Sequence, residues 1–536
     1  MFIIFHLFAL NCIPKPPHML KLLSTISLLF IISFAIAQET VDMQMMQKIK
    51  DEEKNNSQIV MIAHNITDVC GPRLTNSPGY NCALDWVTEI CTKWGLQNAG
   101  REAWGEFGKG WKNEQGTLSL KLPYYENIIA YPVPWCKSTK KAVKCELIML
   151  DQLDSASIDK AGASLKGKIV MIKPGGTTIP DAFKAYAKRF GDSSLDNLPE
   201  EYMVTRKQME GFLPFIKRDY YTRLYMEKKG AVGLVLSSRN SIDGTVFVDG
   251  GEGYMKGYEA SLPTMKISRE DYLKLMRLIQ DNKKVELEMN VQNNFYDKDL
   301  TGYNVVAEIP GTDPALKSQV VMLGGHLDSW AGGTGATDNG AGCIATLEAI
   351  RILKALGIQP RRTIRIALWG GEEQGLYGSF GYVKKHFGDP ENMNLKPEAA
   401  NISAYYNLDN GSGKIRGIHT QGNEAVREIF RAWLEPFKDM GAAGGVTLSN
   451  TGSTDHISFD AVGIPGFQFI QDPLEYETRT HHSNMDTYDH LSIDDLKQAA
   501  VVIAAFVYNT AQRNDMLPRK PLPKAEKFVF DFDFPI

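Results

Sequence analysis

From about Tyr303 onward, short apolar runs alternate with helical patterns, and this alternation constrains the fold more than any other feature of the chain. Asn304 to Ile309, Val320 to Leu323, Thr363 to Leu368, Ile402 to Leu408 and Gly466 to Ile470 read as strands. Between and after them, Gly342 to Leu356, Ser379 to His386, Asn423 to Lys438 and Asp494 to Thr510 read as helices. Such alternation predicts an α/β fold, a mostly parallel mixed sheet flanked by helices. Open sheets of this kind collect their chemistry at the carboxyl ends of the strands.

Those strand ends carry ligand-type residues. The run from Val320 ends in His326-Leu327-Asp328, and a glycine-rich loop then delivers Asp338 just before a helix. Glu372 and Glu373 follow the strand Thr363 to Leu368, Asp409 follows Ile402 to Leu408, and His482 lies in the loop before the last helix. Adjacent carboxylates repel, and at a strand end they are costly unless a cation sits nearby. Histidines and carboxylates without sulfur suit zinc, and the set contains enough carboxylate to hold two divalent ions with one aspartate between them. Each feature alone has a plainer meaning. A Glu-Glu pair commonly opens a solvated helix, Leu-Asp-Asn-Gly is a good turn, and one of His481 and His482 belongs to the surface or to a supporting role. Their ordered recurrence at successive strand ends is what gives the set weight.

A chain of 536 residues is expected to hold two or three domains. The net charge of -4 gives no basic surface for nucleic acid. Lys21 precedes the apolar run Leu22 to Ala37, and Ala35-Ile36-Ala37 is a small-x-small cleavage site. That run is short for a membrane anchor, so an export signal cleaved near Ala37 is expected; Met1 to His18 either belong to it or are an upstream extension before a start at Met19. The mature protein is then secreted, periplasmic or extracellular, where disulfides form. Cys136 and Cys145 flank a lysine-rich turn that a disulfide would close into a hairpin, or both stay free; Cys343, on an apolar helix face, is expected as a buried thiol. No G-x-S-x-G elbow stands at a strand-to-helix turn, which disfavours a serine hydrolase.

Between Cys145 and Ile279 the composition changes. Short β-like runs (Glu146 to Leu150, Lys168 to Lys173, Val232 to Leu236) surround a long charged helical stretch over about 181–229, and the block contains no histidine. It is expected to contribute least to metal chemistry. The tail from Leu517 is rich in proline and lysine, then aromatic.

The segments GHLDSWAGGTGATDNGAG, WGGEEQG, NLDNG and HHSNMDT resemble the signatures of the secreted di-zinc exopeptidases of the aminopeptidase and carboxypeptidase Q type. GPRLTNSPG, LKGKIVMI and KKGAVGLVL are similar to that family's N-terminal segment and to the protease-associated domain that many members insert. With the export signal over 1–37, the resemblance, which runs from about residue 55 to 510, implies a catalytic domain over 38–140 and 300–515. It also implies a β-rich α+β protease-associated insert over 141–299 and a tail over 516–536. It implies two zinc ions per chain, one held by His326 and Asp409, the other by Glu373 and His482, with Asp338 bridging. Asp328 would orient His326, and Glu372 would be the general base. His481 stays outside the ligand set, and Asp455-His456 matches a segment that lines the cleft. Asn339, where the carboxypeptidase Q signature is more acidic, leaves open which peptide end is recognised. The implied partner is a short peptide or dipeptide, with no stable membrane anchor and a homodimer allowed. Two competing readings are a glutaminyl cyclase-like enzyme with one zinc and a non-catalytic binding protein on the same scaffold.

Overall fold

Val320–His326 is buried at every residue, because strands lie against both of its edges and helices cover both faces of the sheet it belongs to. A computed structural model describes residues 39–176, 187–201, 213–238 and 242–526, apart from Glu252, Lys256 and Ala443. The expected export signal and the aromatic end of the tail fall outside the described residues. Val320–His326 belongs to an eight-stranded sheet in the order Gln97–Glu106, Thr301–Ile309, Thr363–Trp369, Val320–His326, Ile402–Asn407, Gly466–Gln471, Ile415–His419, Gly445–Thr447. The four strands from Thr363–Trp369 to Gly466–Gln471 run parallel, and the first two strands pair antiparallel. The mixed, largely parallel α/β architecture therefore stands as expected.

The helix Ala341–Ala355 packs on the helix Ile493–Gln512, and both are buried nearly all round. A helix apolar on every side belongs in the interior, here between the sheet and the N-terminal helices Met43–Asn56 and Ile59–His64. Their packing admits one close approach at the site. A Cβ on Gly342 would lie 2.0 Å from the Leu408 carbonyl oxygen, so only glycine lets this helix start beside the end of Ile402–Asn407. Among the described residues, no helix is long and apolar enough to cross a membrane.

A second eight-stranded sheet runs Glu126–Ile128, Gly110–Leu122, Glu286–Tyr296, Val143–Leu150, Ile169–Ile172, Gly233–Ser237, Thr264–Ile267, Ala130–Pro132. It packs on the helix Arg269–Gln280 through Tyr272, Leu273, Leu275 and Met276. Three of its strands precede residue 141, and Gly110–Leu122 pairs along its length with Glu286–Tyr296. Polar residues alternate along these strands in the exposed half of the ribbon, which hides them from a search for apolar runs.

One expectation is corrected, and one open alternative is decided. The stretch 181–229 is not one helix: among its described residues Leu213–Lys228 is helical, but Arg189 reaches the buried Asp472 and Asp495, and the Pro199 carbonyl accepts from Thr447 in the first sheet's edge strand. The described disulfide joins Cys70 and Cys82. Cys136 and Cys145 are free, Cys136 being buried under the second sheet, where its thiol donates to the Thr264 carbonyl at 3.7 Å. Cys343 is a buried free thiol, as expected, and burial pushes it up to about 12.

Candidate metal centre

Every ligand-type residue singled out in the sequence meets in one place. His326 ends its strand with Nε2 3.4 Å from Asp338 Oδ1, 3.4 Å from Asp409 Oδ1 and 3.8 Å from Glu372 Oε2. On the other side of Asp338, His482 Nε2 lies 3.1 Å from Asp338 Oδ2 and 3.0 Å from Glu373 Oε2. Asp338 thus faces one histidine with each carboxylate oxygen. His481 packs on the His482 ring at 3.8 Å, with its Nε2 3.7 Å from Asp338 Oδ2.

Four carboxylates converge here in a buried setting, and their electrostatics shows what is missing from the donor set. Burial, with Asp338 adding repulsion, pushes Glu373 up to about 8, and burial raises Glu372 well above the usual carboxylate range. Burial acts against both histidinium forms. Asp409 and Glu372 nevertheless raise His326, and Glu373 and Asp338 raise His482, well above the usual imidazole value. Glu373 Oε1 is buried with no hydrogen bond. Such a cluster of acceptors, short of donors, is what divalent cations resolve, and nitrogen and oxygen ligands without sulfur fit zinc.

Asp328 holds the His326 ring through its backbone, and its carboxylate has a second job. The Asp328 carbonyl, not its carboxylate, takes His326 Nδ1 at 2.9 Å; the nearest carboxylate oxygen is 3.7 Å away. The carboxylate instead accepts from the backbone N–H groups of Glu372 at 3.2 Å and Glu373 at 3.3 Å, and from Thr75 Oγ1 at 3.0 Å. The tight turn after Trp369 leaves those two N–H groups pointing inward, and the Asp328 charge orients both glutamates through their backbone.

Several supporting residues carry no sequence signal of their own. Asp486 accepts from Thr337 N at 2.5 Å, Thr337 Oγ1 at 2.8 Å and Asp338 N at 3.2 Å, fixing Asp338 from behind. Tyr476 Oη donates to Asp338 Oδ1 at 2.9 Å. Arg73 is fully buried and donates to the carbonyls of Leu327, Thr334 and Gly335, joining the loops that carry His326 and Asp338. Asp486 stood at a fixed distance from His482 within HHSNMDT, and that spacing was the available clue. Arg73 needed the fold.

Asn339 is fully buried, and its amide is spent on the backbone: Oδ1 accepts from Gly342 N and Nδ2 donates to the Leu408 carbonyl, both at 2.9 Å. It ties the Asp338 loop to the Asp409 loop and does not face the cleft, so its identity says nothing of the peptide end recognised. Asp455 is fully buried and pushed up to about 8 by burial, and His456 turns away to the Thr451 carbonyl.

A cleft of about 570 Å³ opens over Asp338, Glu372, Glu373, Asp409 and His482. One wall is Trp330 with Tyr254 and Met255, backed by the aromatic cluster of Phe107, Trp111 and Trp135. Tyr254 and Met255 come from the block expected to contribute least to metal chemistry, and they supply cleft wall only.

Residues 304–507, which carry all of these ligand-type side chains, match the model of peptidase family M28. The match is joined by a 32% identity over 258 residues to carboxypeptidase Q of Homo sapiens, covering 48% of this chain and 52% of that protein. The chain thus spans about half the length of this relative. The fold is similar to the crystal structure of a peptidase M28 precursor from Shewanella amazonensis, with TM-score 0.64, 23% identity, and coverage of 90% of this chain and 98% of that one. It is also similar to a zinc aminopeptidase from Bacillus subtilis, with TM-score 0.53, 20% identity, and coverage of 85% and 95%.

Proposed function

We propose that the protein is a secreted, zinc-dependent exopeptidase that hydrolyses short peptides or dipeptides. The observation that carries this reading is the placement of His326 and His482 on opposite oxygens of Asp338, each with a further carboxylate within reach. The donor set fits two zinc ions: His326 and Asp409 for one, Glu373 and His482 for the other, Asp338 for both. The relatives named carboxypeptidase Q and zinc aminopeptidase support metal-dependent peptide hydrolysis. When bound, zinc at these residues supplies polarisation of the scissile carbonyl and acidification of the attacking water.

The chain's own residues do the rest. Glu372 stands at the cleft floor beside the ligand set, and its Oε2 accepts the proton of the attacking water and returns it to the leaving amine. Asp328 holds Glu372 and Glu373 by their N–H groups, so base and ligand keep a fixed relation. Trp330, Tyr254 and Met255 line the side of the cleft and exclude water from the substrate. The second sheet is read as the protease-associated domain, entered at Gly110 and left at Tyr296.

The test is a panel of free dipeptides, N-blocked peptides and C-amidated peptides on zinc-loaded protein. Hydrolysis confined to substrates with one free terminus supports an exopeptidase and identifies the terminus; equal cleavage of doubly blocked peptides contradicts it.

A further inference from the structure

His482 sits in the left-handed region, at φ 58°, which only a few per cent of residues other than glycine occupy, asparagine, aspartate and histidine more often than the rest. Such a conformation persists only where neighbours over-determine it. Here part of the determination comes from the second-sheet region. Phe247 and Ser483 form an antiparallel bridge. Val248 N donates to the His482 carbonyl at 2.7 Å, Asn484 N donates to the Val246 carbonyl at 3.0 Å, and Asn484 Oδ1 accepts from Val246 N at 2.7 Å. Val246, Val248 and Ser483 are buried, so these bonds are shielded from water. Gly332 lets the two segments close: a Cβ there would lie 3.0 Å from Val248 and 3.3 Å from Ser483.

We propose that Asn484 and Val246–Val248 form a clamp through which the second-sheet region positions the His482 imidazole toward Asp338 and Glu373. Asn484 is a positioning residue: it touches no reacting atom, and it closes the two-stranded contact that fixes the His482 backbone. The His326 half of the site has no such dependence, because His326 is the last residue of a buried strand. Losing the clamp therefore weakens one metal position and leaves the other. This rests on the metal reading given above.

The test uses the full mature chain and zinc itself, titrated against a competing chelator. Asn484→Ala is expected to weaken one of the two zinc-binding steps about tenfold, within the range for residues that orient ligands. The other step and the thermal midpoint should stay near wild type. Asn484→Asp, which keeps the acceptor for Val246 N, is expected to restore the affinity. Gly332→Ala wedges Val248 away from Ser483 and should shift affinity in the same direction, and it decides the matter if Asn484→Ala does not fold. Unchanged zinc affinity in whichever of these two folds, or an Asn484→Asp as weak as Asn484→Ala, overturns the clamp. The wild-type zinc count alone tests the two-zinc reading, whereas the difference between variants tests the clamp at any count.

Discussion

His326 and His482 approach the same carboxylate from scaffolds of opposite kind. His326 closes a strand flanked on both edges, with its ring fixed by a carbonyl two residues away. His482 rides on a loop between Gly466–Gln471 and Ile493–Gln512, in a backbone conformation costing about 1–3 kcal/mol, and is held by residues more than two hundred positions earlier. A site can thus combine a half that folds with the central sheet and a half that is completed only when a second sheet docks.

The sharpest way to break this comparison is to remove what the halves share. Asp338→Ala should bring turnover to background and release zinc from both positions, measured by metal content after dialysis; a variant that keeps two zinc ions contradicts a bridging role. Next comes Glu372→Ala, expected to lower kcat about a thousandfold, the scale of a lost general base. Zinc content should be unchanged, and retained turnover excludes Glu372 as the base. Asp328→Asn tests the backbone anchor of both glutamates and should cost about 10–100-fold in kcat, on the scale of residues orienting a metal site. If the carboxylate served only His326, zinc affinity at the His326 position alone would fall instead.

The smallest effect lies outside the site and concerns stability. Burial, together with Glu348, pushes Glu53 up to about 9. A carboxyl raised in the folded state favours folding fully below its unfolded value near 4.5 and loses that contribution as pH rises toward 9. Glu53→Gln, which stays neutral, should therefore raise the thermal midpoint at pH 8 and change it little at pH 4. A midpoint gain independent of pH contradicts the assignment.

The legible part of the molecule was the part whose signals are local. His326, Asp338, Glu373 and Asp409 end or follow strands whose apolar runs mark them, and those strands sit within three residues of their expected ends. The strands Gln97–Glu106, at one edge, and Ile415–His419, next to the other edge, were not legible: the first is largely solvent-facing, so it lacks the apolar run that marks a buried strand, and the second is short. Arg73, Tyr476 and the Val246–Val248 contact act through distant partners, which periodicity cannot reveal. Asp328 shows a subtler limit. Its importance was plain from His-x-Asp, yet whether its carbonyl or its carboxylate served the histidine depended on where the Glu372 turn would pass.

The central claim is that two zinc ions share Asp338 between His326 and His482. Anomalous X-ray scattering at the zinc edge, from crystals of the zinc-loaded protein, tests it most directly. Two peaks flanking Asp338, one beside His326 and Asp409 and the other beside Glu373 and His482, are predicted. A single peak, or peaks away from Asp338, would contradict the account.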